Sequence, residues 1–275
     1  MKNSVISKGK LLDLSTPKVM AIVNITPDSF FSGSRVDEST ALITMERLLN
    51  DGADLLDLGA YSTRPGALEI SIQEELDRLM PVLELGIKHH PEVWFSVDTF
   101  RSEVAQEACR AGAKLINDVS GGLLDPHIMT VAAREKVPYI LMHMRGNPQN
   151  MQTKAKYGQV TEEVIEELSR QVTLASQAGI QELILDPGFG FSKTWEQGYQ
   201  LIRDFDAFTL FEKPILVGVS RKSMLYKPLG STPEDILPAT SALHMALLNK
   251  GAHILRVHDP KEACQVIKLR EWIHK

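Results

Sequence analysis

From Val19 onward the chain alternates short runs rich in Val, Ile and Leu with longer stretches whose apolar residues recur every three or four positions. The short runs read as strands and the longer stretches as amphipathic helices, because side chains change face every two residues in a strand and every 3.6 in a helix. Runs of strand type fall at residues 19–26, 54–59, 93–99, 114–120, 138–144, 182–188, 214–220 and 253–259. Helical stretches alternate with them at 38–50, 72–88, 102–111, 127–136, 161–177, 195–205, 238–249 and 261–274. Most of the strand runs are apolar through consecutive central positions, the pattern of strands covered on both faces. Asp51-Gly52, Ala111-Gly112 and Ala178-Gly179 close three of the helices, where glycine takes the left-handed cap conformation. Residues 4–17 precede the first unit and read as a small hairpin plugging the bottom of a barrel, and the polar, aperiodic stretch 145–157 reads as a mobile surface loop. A unit of strand then helix, repeated eight times without a linker, predicts one domain over residues 1–275. The expected architecture is α/β, a (β/α)8 TIM barrel with an N-terminal β-hairpin, and an open doubly wound sheet is the alternative.

Length agrees with this reading, since 275 residues lie close to the roughly 250 of a single (β/α)8 barrel. With 43% apolar residues the chain can bury a large core without disulfides or a structural metal. Its two cysteines, Cys109 and Cys264, lie in helical stretches with no zinc-like spacing and read as bystanders. A formal charge of -5 excludes the global basic field that drives nonspecific nucleic-acid binding, so an anionic ligand has to be held locally. The first residues lack the apolar core of a secretory signal, and no run approaches the ~20 apolar residues of a membrane span. The expectation is a cytoplasmic protein with neither nucleic-acid nor membrane partners.

Barrel enzymes carry their active sites at the C-terminal ends of the strands, and polar residues collect there in this chain. The first two runs lead into Asn24-Ile-Thr-Pro-Asp28 and Tyr61-Ser-Thr-Arg-Pro-Gly66. The others end at Asp98, Asn117-Asp118, His143, Asp186, Ser220-Arg-Lys222 and Arg256-Val-His258-Asp259. Any one Asp or Asn there could be a helix cap or turn residue. No capping rule calls for Lys222 or Arg256 at a helix start, where the dipole disfavours cations. Asp98, Asn117 and Asp186 offer two carboxylates and an amide, which suit a flat heterocycle rich in N–H groups. Arg64, Arg256, His258 and Lys222 suit an anion, and the last strands of a barrel are where phosphate is commonly held. The glycines of Pro187-Gly-Phe-Gly190 do not form a Walker loop. Asn24 supplies one hard oxygen, and one such ligand with phosphate oxygens and waters is a normal way to bind Mg2+.

At these residues the sequence resembles the dihydropteroate synthase family from Val19 to His274. The likeness rests on Asn24-Ile-Thr-Pro-Asp-Ser-Phe30, Ser62-Thr-Arg-Pro-Gly66, Ser96-Val-Asp-Thr99, Ile116-Asn-Asp-Val-Ser-Gly-Gly122, Asp186-Pro-Gly-Phe-Gly-Phe191, Gly218-Val-Ser-Arg-Lys-Ser223 and Arg256-Val-His-Asp259. It implies that Asp98, Asn117, Asp186 and Lys222 bind a pterin beside Met142 and Phe191, and that Asn24 ligates magnesium. It further implies that Arg64, Arg256 and His258 hold a diphosphate, while Thr63, Pro65, Phe191 and Ser223 border a 4-aminobenzoate pocket. The implied activity is displacement of diphosphate from the pterin methylene by the aromatic amine, a transferase step of folate biosynthesis. Asp98, Lys222 and Arg256 would be its catalytic groups, and a homodimer is implied as well. Two segments depart from the family pattern: Ser29-Phe-Phe-Ser-Gly-Ser34 replaces the usual Ser-Phe-Ser-Asp-Gly-Gly, and Gly59-Ala-Tyr-Ser62 replaces Gly-Gly-Glu-Ser. Two rivals stay open, a pterin-binding methyltransferase domain that serves a corrinoid and a non-catalytic homologue that only binds pterin or a partner.

Overall fold

A computed structural model describes residues 3–25, 31–32, 35–62 and 69–274, with the side chains of 31, 32, 35 and 36 left out. An antiparallel hairpin of β1 (Ser4–Ser7) and β2 (Lys10–Asp13) comes first. The barrel strands are β3 (Lys18–Asn24), β6 (Leu55–Gly59), β7 (Trp94–Asp98), β8 (Leu115–Asp118), β9 (Tyr139–Met142), β10 (Leu183–Asp186), β11 (Leu216–Val217) and β12 (Ile254–Val257). A two-residue pair, β4 (Phe31–Ser32) and β5 (Arg35–Val36), follows β3 and was not legible in the pattern. All barrel pairings are parallel, in the order β10-β9-β8-β7-β6-β3-β12-β11, and a bridge from Leu185 to Ile215 joins the two ends. That bridge excludes the open doubly wound sheet.

The helices between the strands are α1 (Glu38–Asn50), α2 (Ile72–His89), α3 (Ser102–Ala111), α4 (His127–Glu135), α5 (Val160–Gln177), α6 (Trp195–Arg203), α7 (Ser223–Tyr226), α8 (Leu237–Asn249) and α9 (Pro260–Ile273). Of these only α7, a single turn, was not foreseen. Gly52, Gly112 and Gly179 all have φ near or above +90°, as their cap positions require. The stretch expected to be a mobile loop is anchored instead. It contains a 3-10 turn, Met151–Lys154, with Met151 buried, and Arg145 donates to Glu163 and Glu167 of α5.

Strand alternation sorts the residues into layers. Met20, Leu55, Trp94, Leu115, Ile140, Ile184, Leu216 and Ile254, one from each barrel strand, form a buried cluster with Val5, Leu12 and Leu14 of the hairpin segment. The hairpin therefore does plug the bottom of the barrel. The alternate residues, among them Val19, Leu56, Phe95, Ile116, Leu141, Leu185, Val217 and Leu255, belong to the outer cluster packed against the helices. Two residues above the apolar floor, the inward positions read Asp57 on β6, Ser96 on β7, Asn117 on β8, Met142 on β9, Asp186 on β10 and Arg256 on β12. Dry floor below and polar layer above place the chemistry at the C-terminal mouth.

Candidate active site

The centre of the polar layer is Arg256. Its Nε donates to Asp57 Oδ2 at 2.6 Å and its Nη2 to Asp98 Oδ2 at 2.5 Å, and Asn117 Nδ2 donates to the same Asp57 oxygen at 2.9 Å. Asp57 is fully buried and was missed from sequence, because it sits inside an apolar run and not at its end. Counting two positions from floor residue Leu55 would have found it. Burial pushes the Asp98 carboxyl up to about 7; Arg256 pulls it down and the neighbouring Asp57 pushes it up. The guanidinium is thus already committed to two carboxylates, a finer placement than the pure anion contact expected of it.

A second group adjoins this one. Asp186, 6% exposed, accepts from the Gly188 backbone at 2.7 Å; burial raises its pKa against the pull of Lys222. The Lys222 ammonium donates to the Phe189 carbonyl and lies 4.6 Å from the centre of the Phe191 ring. Its pKa falls to about 8 through burial, opposed by Asp186. Both groups pack beside Gly218, where a Cβ would stand at ordinary contact distance, 3.8 Å from Lys222 Nζ and 4.0 Å from Arg256 Cβ. Met142 is buried with Val119, Met144 and Met151, and Phe191 and Phe100 pack on this cluster, giving one apolar wall. Ser223 opens α7 next to Lys222 and is half-buried.

Asn24, at the end of β3, and His258, just beyond β12, line one cleft of about 370 Å³ with Ile22, Val23, Thr44, Arg47 and Leu48. His258 is positioned by Ser220, whose hydroxyl lies 3.2 Å from both its backbone N and its Nδ1. Thr63, Arg64, Pro65 and Asp28 lie outside the described residues. Tyr61, standing where the family pattern has Glu, meets Phe100 edge to face at 5.1 Å and lies under the Arg101 guanidinium at 5.0 Å. Arg101 is fixed in turn by Glu75, 1% exposed, which also accepts from Thr99 at 2.7 Å.

Three strand-end polar groups turn out to be structural. Asp118 faces outward and holds the turn after β8, accepting from the amides of Ser120 and Gly122 at 2.7 Å and from Tyr139 Oη at 2.5 Å. Arg221 pairs through two nitrogens with Asp259 at 2.9 and 2.5 Å, tying the ends of β11 and β12. His143 also points away from the mouth, toward Glu167 of α5.

Among the described residues no three His, Cys, Asp or Glu are grouped as a metal cage. Asn24 is exposed and offers a single amide oxygen. The donor set fits an ion that receives most of its ligands from a phosphate and water, as magnesium does, and does not fit zinc or calcium held by protein alone.

Residues 20–258 match the family model described as pterin binding enzyme. The chain is 42% identical over 268 residues to the dihydropteroate synthase of Escherichia coli (strain K12), covering 96% of this chain and 94% of that one. A crystal structure of the Yersinia pestis dihydropteroate synthase with a sulfonamide drug complex superposes with a TM-score of 0.91 at 40% identity, covering 98% of this chain and 99% of that one. The Xanthomonas albilineans dihydropteroate synthase with 4-aminobenzoic acid gives a TM-score of 0.91 at 36% identity, covering 100% and 99%.

Proposed function

The chain belongs to the pterin-binding enzymes, as a dihydropteroate synthase of folate biosynthesis, and we propose that its barrel mouth performs the reaction with the residues assembled above. The substrates are 6-hydroxymethyl-7,8-dihydropterin diphosphate and 4-aminobenzoate, and the products are 7,8-dihydropteroate and diphosphate. One observation carries the assignment of roles: three carboxylates, an amide and two cations converge above a dry floor, beside an apolar wall that a flat ring can lie against. Asp186 and Asn117 meet the pterin edge, with Met142 and Phe191 against its face and Lys222 at its rim. Ser223 and Phe191 border the aromatic amine, together with Thr63 and Pro65.

An aryl amine is a weak nucleophile, so most of the barrier has to be lowered at the leaving group. The methylene carbon to oxygen bond breaks with its electron pair going to diphosphate; the amine nitrogen then bonds to that carbon and gives up a proton. Arg256, His258 and Arg64 oppose the charge growing on diphosphate. Asp98 and Asp186 stabilise the pterin as it becomes cationic. Asn24 would hold magnesium together with the diphosphate, and the ion when bound supplies Lewis-acid stabilisation of the leaving group.

Release of diphosphate in a coupled assay with both substrates tests the reading; release that occurs equally without 4-aminobenzoate would overturn it. The same reading includes a cytoplasmic homodimer. Among the described residues no helix is long and apolar enough to cross a membrane, and α9 leaves Leu269, Trp272 and Ile273 exposed as apolar surface. Sedimentation of the purified chain decides whether they are covered by a second copy.

A further inference from the structure

We propose that Lys193, which the reaction above does not use, is a positioning residue: its ammonium, seated on His143, pins the carbonyls of Gly188 and Phe191 and so sets the loop that carries the pterin-facing groups. The inference rests on the reading that Asp186, Phe191 and Lys222 hold the pterin.

The geometry is specific. Lys193 is 3% exposed. Its three N–H groups have three acceptors at ordinary distance, His143 Nδ1 at 2.9 Å, Gly188 O at 3.0 Å and Phe191 O at 3.1 Å. An ammonium donates three bonds and accepts none. His143 Nδ1 therefore offers its lone pair, its proton sits on Nε2, and Nε2 donates to Glu167 Oε2 at 2.9 Å. Burial and the facing lysine push the His143 pKa down to about 4, which keeps the ring neutral in this role. Glu167 is fixed by Arg145 Nε at 2.9 Å, and Arg145 also donates to Glu163 at 2.7 Å. A continuous path thus runs from α5 through Glu167, His143 and Lys193 to the loop.

The loop backbone has an uncommon shape. Gly188, Gly190 and Ser192 all have positive φ, at 71°, 78° and 44°. A Cβ on Gly188 would stand 2.0 Å from the His143 carbonyl oxygen. Lys193 takes the carbonyls of Gly188 and Phe191 while Lys222 takes that of Phe189, so two ammonium groups hold three loop carbonyls. Asp186 opens the loop and Phe191 nearly closes it. Burying an unneeded cation is costly, and an apolar side chain of similar volume would fill the same space at no such cost. A residue that only filled space would not need the charge.

Lys193→Met keeps the volume and removes the donors. Pterin affinity, measured by calorimetry with 6-hydroxymethylpterin, should fall at least about tenfold, and Tm should fall as well, because His143 Nδ1 and the Gly188 and Phe191 carbonyls are left buried without their donor. A filler role predicts affinity and Tm both close to the parent's, since methionine fills the same space. Burial lowers the Lys193 pKa to about 7, with Asp186 of β10 and Glu167 of α5 opposing and Lys222 and Arg145 reinforcing the shift. Rising pH removes one N–H, so the affinity gap between parent and Lys193→Met should narrow as pH rises from about 6 to about 8. If Lys193→Met does not fold, His143→Gln, which leaves the lysine but removes its Nδ1 seat, should give the same loss. Asp186→Asn is the control. Pterin binding within twofold of the parent in the Lys193 or His143 variant, with Asp186→Asn impaired, overturns the inference alone; unchanged binding in all of them overturns the pterin assignment as well.

Discussion

Replacing Asp57 by Asn would remove one negative charge from the centre of the site and leave its shape intact. The Asp57 oxygen that accepts from Arg256 at 2.6 Å and Asn117 at 2.9 Å can be kept as the amide oxygen, while the new NH2 group turns toward Ser96, its partner across the β6–β7 ladder. Only the charge is lost. Removing one partner of a buried ion pair costs about 3–5 kcal/mol. Arg256 keeps Asp98 at 2.5 Å and keeps an acceptor at position 57, so about half that cost should appear, roughly 1.5–2.5 kcal/mol. At about 2–4 °C per kcal/mol for a domain of this size, Tm should fall by about 3 to 10 °C. A second signature comes from Asp98, whose carboxyl burial holds at about 7 with Asp57 adding to the upward push. Pterin binding draws on the Asp98 carboxylate, so parent affinity should decline as pH falls through about 7, and in Asp57→Asn the decline should begin at lower pH. The stability effect of Asp98 has the other sign. Its folded pKa lies above the unfolded value near 3.9, so its contribution is fully present below about 4 and is lost as pH rises through about 7. Thermal unfolding and calorimetry with 6-hydroxymethylpterin between about pH 5.5 and 8 read both signatures. A Tm within a degree of the parent, with a superimposable affinity profile, would refute the argument that the Asp57–Arg256 pair organises the site.

Further outcomes follow from the same geometry. Asp186→Asn should weaken pterin by about 1.5–3 kcal/mol, roughly 10- to 150-fold, the range for a hydrogen bond to a charged group, and an unchanged dissociation constant removes Asp186 from the pterin edge. Gly188→Ala should cost about 1–2 kcal/mol for a side chain in the left-handed region, plus the clash with the His143 carbonyl; equal Tm and equal pterin affinity would show that the loop tolerates another shape. Arg256→Ala leaves Asp57 and Asp98 facing each other without a cation, so magnesium diphosphate binding should weaken and the loss of Tm should shrink as pH falls and Asp98 takes up a proton. If magnesium diphosphate binds that variant as tightly as the parent, the anion site lies elsewhere.

Barrel and helices were legible because burial on both strand faces and on one helix face writes two different periods into the sequence. Boundaries moved where local chemistry intervened. The run 214–220 reads as a long strand, yet β11 has only Leu216 and Val217; Pro214 has no N–H to give a ladder. Helix α6 stops at Arg203, where Asp204 leads into the 3-10 turn Phe205–Phe211 that buries Phe205 and Phe208. Site residues at strand ends could be found because polar groups stand out after apolar runs. That signal cannot tell inward from outward. It put His143 and Asp118 beside true mouth residues, and it passed over Asp57, whose neighbours Leu56 and Leu58 belong to the outer core. Parity within each strand carries the missing information, since Leu55, Asp57 and Gly59 share one face and only the middle one has chemistry to offer. Lys193 was invisible for another reason. Nothing in the local pattern says that a lysine after a glycine-rich turn folds back under it.

The charges explain how so polar a layer survives inside the barrel before any ligand arrives. Three carboxylates, Asp57, Asp98 and Asp186, face three cations, Arg256, Lys222 and Lys193, and each carboxylate has a cation near enough to shift its own titration or to bond it. Such a balance keeps desolvation tolerable, and each of these three cations is already engaged before a diphosphate arrives. Of the three, Lys193 is fully engaged beneath the loop, and Lys222 is bound to the Phe189 carbonyl. Arg256, with 20% of its side chain exposed, is the one whose bonds face the mouth. Under the proposed function, charge gathering on the leaving diphosphate draws on the guanidinium just as Asp98 loses part of its counterion. The pterin methylene becomes cationic in the same step, and Asp98 is then the carboxylate with the most unmatched charge to offer it.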